Sequence, residues 1–369
     1  MSALHTVVRA PLSPAENLAR CRELVRPALT EAVGRTHPWV AEMAGYSFGW
    51  CEVGGAPATA PGGKGVRQAL AVLGAEAAGA DATAGIPAAV AVELVHAFSL
   101  LHDDIMDGDA TRRQRPAVWK AYGTGPAVLA GDALFALAVD SLATAPRGPG
   151  AVRLLSAALA DLVRGQADDL LFAARPCTGP ERVSPREYRR MAEGKTGALL
   201  GCAAALGAAL GGASEATVTA LDRAGRRLGV AFQLVDDVLG MWGDPAVTGK
   251  PVGGDLREGK KTFPVLAALD SPAPAARRLH ALLGSPGRAT ETAAPHSPAR
   301  TTESTVFGSP GWAAEVAALV DEAGGRAAAV GEARAQTAAA RALLADVPLA
   351  GRAGEELHLL LDHLMHRVL

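Results

Sequence analysis

The chain has no strong excess of either charge: of its 369 residues 20% are charged, and the formal net charge at pH 7 is −2. A general nucleic-acid binder would carry a basic excess, so that class is disfavoured and no nucleic-acid partner is expected. Cysteine is scarce. Cys21, Cys51, Cys177 and Cys202 form no CxxC pair. Reduced thiols in a cytoplasmic protein are the expectation. The N-terminal stretch has no apolar h-region, so no secretory signal is expected. Strand signals are also few: alternating β-branched runs are nearly absent. The longest apolar run, Thr196 to Ala213, is mostly Ala and Gly. It reads as a buried helix, because a spanning helix is usually richer in Leu, Ile, Val and Phe. No transmembrane segment is expected.

What is present is helix-type periodicity in a chain that is 49% hydrophobic. Helices are expected over 87–107, 152–172 and 215–239, over 184–211 with a break near Gly194, and over 354–369. Pro87 suits a first turn and Ser214 a cap. The stretch 56–63 reads as a loop. The stretch 285–310 is rich in Ser, Thr, Pro, Gly and Ala, and reads as a disordered insertion.

Two aspartate clusters stand out, each closing an apolar helix. In the first, Asp103, Asp104 and Asp107 follow the run His96-Ala-Phe98-Ser99-Leu-Leu-His102. Asp103 and Asp107 are i and i+4 and share a face. Acids at a helix C-terminus oppose the helix dipole. Hard cations would offset that cost, and Mg²⁺ shares its oxygen shell with substrate phosphates. The bland alternative is a solvated acidic helix end. Against it, Arg112, Arg113 and Arg115 follow at once, and guanidinium groups suit phosphate oxygens.

The second cluster is Gln233-Leu-Val-Asp236-Asp237-Val-Leu-Gly240, with Asp244 beyond it. Lys250, Asp255, Arg257, Lys260, Lys261 and Thr262 follow. Acid is again followed by base. The repetition suggests two walls of one cleft that holds metal ions and a polyphosphate. Gly62-Gly63-Lys64-Gly65-Val66-Arg67 is a Gly-rich turn entering a helix, where backbone N–H groups can approach an anion. Lys195-Thr196 lies at the expected helix break.

Together these motifs, with Gly165-Gln166-Ala-Asp168-Asp169 and Gly259-Lys260-Lys261-Thr262, resemble the trans-isoprenyl diphosphate synthases, or polyprenyl synthetases, most closely those that make geranylgeranyl diphosphate. The likeness runs from about Pro61 to Val265. It implies an all-α fold, one domain over 1–369, with long helices around a central cavity, usually homodimeric. It implies an allylic diphosphate held between the aspartate motifs through three Mg²⁺ ions. Asp103, Asp107 and Asp236 would be metal ligands, with Asp104 and Asp237 assisting. Arg112, Lys195, Thr196, Gln233, Lys250 and Lys260 match positions that hold the allylic substrate. Lys64, Arg67, His96 and Arg113 match positions that hold isopentenyl diphosphate. Asp169 matches the family's usual acid, for which a metal-linked role and a structural one are equally open. His102 has no such match and reads as structural. The implied reaction is head-to-tail condensation by ionisation of the allylic C–O bond.

Two departures are visible. Gly240 stands where the family has a third acid, and Gln68 where it usually has Pro, which would loosen that turn. Phe98 with a small Ser99, before an unexpanded first motif, resembles geranylgeranyl producers; farnesyl or longer products are alternatives. A class I terpene cyclase would lack the GGKxxR element and would carry an Asn/Asp–Ser/Thr–Glu second motif. A non-catalytic partner subunit is motivated by Gly240, but the first motif is intact.

Overall fold

In the computed structural model the described residues are 10–58, 63, 65–243, 253–257, 259–284 and 310–365. The expectations placed on Lys64, Asp244, Lys250 and 285–309 lie outside them. The order is α1 (Pro14–Gly34), α2 (Pro38–Phe48), α3 (Val66–Ala77), α4 (Ile86–Met106), strands β1 (Thr111–Arg112) and β2 (Arg115–Pro116), α5 (Val118–Tyr122), α6 (Thr124–Ala143), α7 (Gly148–Ala174) and α8 (Pro185–Ala192). After a π turn at Glu193–Gly197 come α9 (Ala198–Gly211), α10 (Glu215–Trp242), α11 (Gly254–Arg257), α12 (Phe263–Leu269), α13 (Pro274–Gly284), α14 (Pro310–Glu322), α15 (Gly325–Ala345) and α16 (Gly351–Met365). The expectation of an all-α chain holds. The expected break near Gly194 is the π turn, and Pro310, assigned above to the insertion, opens α14 instead.

The chain divides into two compact units. The first comprises Met1–Ala160, Ala198–Arg226 and Ala339–His363. Here α3 packs on α9 and α4 packs on α6. The α3–α9 contact explains the Ala/Gly run. A Cβ on Gly207 would lie on the Ala71 carbonyl, and one on Gly74 would be 2.5 Å from the Ala204 carbonyl oxygen. Small residues let the two backbones touch. Leu73, Leu94, Val95 and Leu134 fill the interior beside them.

The second unit comprises Asp161–Gly197, Arg227–Ala338 and Leu364–Leu369. One core cluster joins Phe172, Tyr188, Met191, Leu234, Val235, Phe263 and Leu266. Another joins Met241, Leu256, Val265, Leu279, Trp312 and Val316.

Among the described residues, three helical stretches are long and apolar enough to cross a membrane by length and composition: Ala82–Met106, Thr124–Ala143 and Pro185–Gly211. The most apolar 18-residue window of the last, which holds the Ala/Gly run, is 78% buried, whereas that of Thr124–Ala143 is 33% buried.

Helix α8 opens with a capping box. Ser184 Oγ accepts from the Glu187 N–H, and Glu187 Oε2 accepts from the Ser184 N–H at 2.8 Å. Arg175 Nη1 also donates to Glu187 Oε1, at 2.7 Å. The Arg175 contact, then the Ser184 bonds, pull the Glu187 carboxyl down to about 2. The ordinary value is 4.5. A depressed carboxylate contributes stability that is present above its unfolded pKa and lost as pH falls through its folded one. Glu187→Gln should therefore be less stable than wild type at pH 6. That gap should narrow as pH falls from 4.5 towards 2. Urea midpoints at pH 6 and pH 3 measure it; an equal gap at both would rule out the carboxylate charge as the cause.

Candidate active site

The first aspartate cluster lies where α4 ends. Asp107 is the C-cap, its N–H donating to the Asp103 carbonyl at 2.8 Å. Asp103 is half-buried and Asp107 exposed. Asp104 points inward, 3% exposed. Arg112 Nε donates to Asp104 Oδ1 at 2.7 Å, and its terminal nitrogen pairs with the same oxygen. Burial raises the Asp104 pKa, and the Arg112 guanidinium works against that rise. Asp104 is thus committed to a protein partner, while Asp103 and Asp107 lie on the more open face.

The arginines sit on a β-hairpin that helix periodicity could not reveal. Arg112 pairs with Arg115 across it. Its two-residue turn is Arg113-Gln114, at φ 50° and 64°. Both angles are positive, as a type I′ hairpin requires, in residues that seldom adopt them. The hairpin is pinned: Tyr46 Oη donates to the Pro116 carbonyl at 2.8 Å, and Arg115 Nη2 to the Cys51 carbonyl at 2.9 Å. Arg115 is therefore a fastener, and Arg112 and Arg113 are the residues it places.

Arg113 lies against Gly63, its Nη2 3.1 Å from where a Cβ on that glycine would be. Gly65 caps α3, which carries Arg67. His96, one face of α4 away, is kept neutral by burial first, and then by Arg67, Arg113 and Arg112. Burial raises the carboxyl of Glu93, opposed chiefly by Arg67, then by a hydrogen bond from the Gln68 side chain and by Arg113. So Arg67, His96 and Arg113 are brought together around an acid the motifs did not single out. Gln68 also meets Glu93. It lies inside the first turn of α3, 8% exposed, and ties that turn to Glu93. Arg22, on α1, donates to the Gly63 carbonyl at 3.3 Å; nothing in the motif spacing pointed to it.

In the second unit, Asp237 is 4% exposed. It accepts from Tyr188 Oη, from the Phe263 N–H at 2.9 Å and from Gln233 Nε2 at 3.3 Å. Burial pushes its carboxyl up to about 7, against the hydrogen bonds from Tyr188 and Phe263. Asp237, like Asp104, is fastened to protein, while Asp236 on α10 is half-buried. Gln233 Oε1 accepts from Thr196 Oγ1 at 3.0 Å. Lys195 Nζ donates to Asp169 Oδ2 at 2.6 Å. Asp168 faces Arg190 at 3.8 Å, and Lys260 faces Asp255 at 4.0 Å. Tyr188 was missed; the available signal was a tyrosine among apolar residues, whose hydroxyl needs a partner when buried.

The donor set suits Mg²⁺. Among the described residues, no three carboxylate, imidazole or thiol groups close into a metal cage. Mg²⁺ needs none, since one or two carboxylates with substrate phosphates suffice. In each motif one aspartate is locked to protein and its neighbour lies on a more open face.

Residues 55–295 match the family model described as polyprenyl synthetase. The chain is 47% identical over 276 residues to the geranylgeranyl diphosphate synthase of Mycobacterium tuberculosis, a match spanning 74% of this chain and 77% of that protein. It is 46% identical over 268 residues to a (2E,6E)-farnesyl diphosphate synthase of Mycobacterium bovis, spanning 72% and 73%. Among solved structures, a polyprenyl synthetase from Streptomyces coelicolor superposes with a TM-score of 0.84 at 44% identity, over 95% of this chain and 98% of that one. A polyprenyl synthase from Caulobacter crescentus, complexed with calcium and isoprenyl diphosphate, superposes with a TM-score of 0.77 at 26% identity, over 98% and 99%. The chain belongs to the polyprenyl synthetase family and is an all-α prenyltransferase.

Proposed function

We propose that the protein condenses isopentenyl diphosphate head to tail with an allylic diphosphate, and that geranylgeranyl diphosphate is its main product. The observation that carries the reaction is the aspartate motif closing α4, whose Asp104 is held by Arg112 of the pinned hairpin, matched in kind by Asp237 on α10, held by Tyr188, Phe263 and Gln233, so that in each motif a neighbouring aspartate lies on a more open face. Asp103, Asp107 and Asp236 would hold Mg²⁺, three ions in all. When bound, the ions neutralise charge developing on the leaving diphosphate.

Arg112, Lys195, Thr196, Gln233, Lys250 and Lys260 orient the allylic diphosphate. Lys64, Arg67, His96 and Arg113 hold isopentenyl diphosphate. The allylic C–O bond breaks with its electron pair going to diphosphate. The alkene of isopentenyl diphosphate then forms the new C–C bond. A proton leaves to the released diphosphate, so no side-chain base is assigned. Neutral His96 serves as a hydrogen-bonding group.

The protein is placed in the cytoplasm as a homodimer. The apolar face of α6, with Leu129 51% and Phe135 39% exposed, supports cover by a second copy. Farnesyl diphosphate is the alternative product, favoured by the near-equal identity to a farnesyl synthase.

Product length is assigned to Phe98, which packs edge-on to His102 with ring centroids 4.9 Å apart and lies 5.7 Å from Phe135. Wild type supplied with Mg²⁺, isopentenyl diphosphate and dimethylallyl, geranyl or farnesyl diphosphate should give a twenty-carbon diphosphate by mass. Phe98→Ala should extend products beyond twenty carbons. An active variant with unchanged products would remove Phe98 as the floor. A fifteen-carbon wild-type product would replace the geranylgeranyl assignment.

A further inference from the structure

The glycine-rich turn that enters α3 is touched by two guanidinium groups from outside its own motif. Arg113 of the hairpin is one, with its Nη2 beside Gly63. Arg22 of α1 is the other. Its Nη2 donates to the Gly63 carbonyl at 3.3 Å, and its Nε and Nη2 each lie 3.7 Å from where a Cβ on Gly65 would stand. The Leu18 carbonyl oxygen is 3.9 Å from that same point. Leu18 and Arg22 are i and i+4, so one face of α1 runs along the turn. Gly65 itself holds φ at 72°, a left-handed conformation that glycine adopts at little cost.

Helix α1 is a firm base for that contact. Asn17, Cys21, Val25 and Leu29 form a stripe buried to 3% exposure or less. Arg20 grips Glu76 of α3 through two bonds of 2.9 and 2.7 Å. Just before the helix, the Leu12 N–H donates at 2.8 Å to Glu356, a buried carboxylate of α16. All of these residues belong to the first unit. Arg22 lies outside the buried stripe and is exposed. Its side chain therefore adds little to the core, and its printed bond goes to the turn.

We infer that Arg22 is a positioning residue for isopentenyl diphosphate, holding the glycine-rich turn from α1 by the Gly63 carbonyl. This rests on the function proposed above. The turn then stands in one place relative to Arg113 and to the first turn of α3, which carries Arg67. Holding it in advance lowers the ordering cost of taking up the diphosphate. The effect belongs to the binding of one substrate and not to the ionisation of the other.

The test compares wild type, Arg22→Met and Arg22→Lys. Binding of isopentenyl diphosphate alone is measured by calorimetry, and steady-state rates are measured with each substrate varied in turn. Arg22→Met should bind isopentenyl diphosphate about tenfold more weakly, the low end for losing a hydrogen bond from a charged donor. Its KM for isopentenyl diphosphate should rise to match, with kcat, the KM for the allylic diphosphate and the thermal midpoint unchanged. That split marks the loss of binding shared by ground state and transition state. Arg22→Lys keeps a charged donor and should recover to within about threefold of wild type. An Arg22→Met protein that binds isopentenyl diphosphate like wild type overturns the inference. So does one whose two KM values rise together as its thermal midpoint falls, because that is a general structural role. Arg22→Lys no better than Arg22→Met overturns it as well. A folded wild type that neither binds isopentenyl diphosphate nor elongates any primer would instead overturn the proposed function, and this inference with it.

Discussion

Asp103→Asn should lower kcat by about a hundred- to a thousand-fold, the usual scale for removing one preorganised charge-stabilising group. The change keeps the side chain's volume and removes its charge. Neighbouring Asp104 cannot take over, because it is buried and held by Arg112. The stability signature separates this from a structural role. Asp103 sits in the last turn of α4, where the helix dipole disfavours an acid. Neutralising it should leave the urea midpoint unchanged or slightly raised. A variant that lost stability in step with activity would make Asp103 a structural acid. Asp104→Asn should behave in the opposite way, losing stability because Arg112 is left without its partner.

Gly165→Ala should be almost as damaging, for a different reason. A Cβ at Gly165 would lie on the Lys195 backbone nitrogen, 2.6 Å from the Gly194 carbonyl carbon and 2.8 Å from the Lys195 Cα. All of these are backbone atoms, so no rotamer change relieves the clash. Either α7 or the π turn at Glu193–Gly197 must move. That turn carries Lys195 and Thr196, whose partners Asp169 and Gln233 are set by hydrogen bonds of 2.6 and 3.0 Å. A displacement near 1 Å can cost about a hundred-fold in rate, and overpacking costs about 1–3 kcal/mol of stability. Steady-state kinetics with varied allylic diphosphate should show both a lower kcat and a higher KM. The KM for isopentenyl diphosphate should change less, because Arg67, His96 and Arg113 belong to the other unit. Unchanged kinetics would mean that the π turn is not needed in this position.

Much of this was legible in the sequence, and the reasons are specific. The placement of Asp103 and Asp107 at the end of α4 and of Asp236 on α10 could be found because helix period runs through both strongly apolar stretches. The break near Gly194 could be found because two glycines flank Lys195-Thr196. The Ala/Gly composition of 196–213 correctly pointed to burial, although not to the partner helix, since the close approach of Gly207 to Ala71 is a long-range fact. The hairpin at Arg112–Arg115 was not legible, because Arg-Gln is a poor match to the Asn-Gly or Asp-Gly that marks such turns. Tyr188, Glu93 and Arg22 were missed for a shared reason. Each acts through contacts with residues far away in sequence, and spacing within a motif carries no record of them. The contact of Gln68 with Glu93, on a different helix, was not legible for the same reason.

The most direct measurement is the amount of diphosphate released per isopentenyl unit incorporated when purified protein is given geranyl diphosphate, isopentenyl diphosphate and Mg²⁺. One diphosphate released for each new carbon–carbon bond, with both abolished by EDTA, is the predicted result. Diphosphate release without isopentenyl incorporation, accompanied by cyclic hydrocarbon, would contradict it, and so would a folded protein that leaves both substrates unchanged.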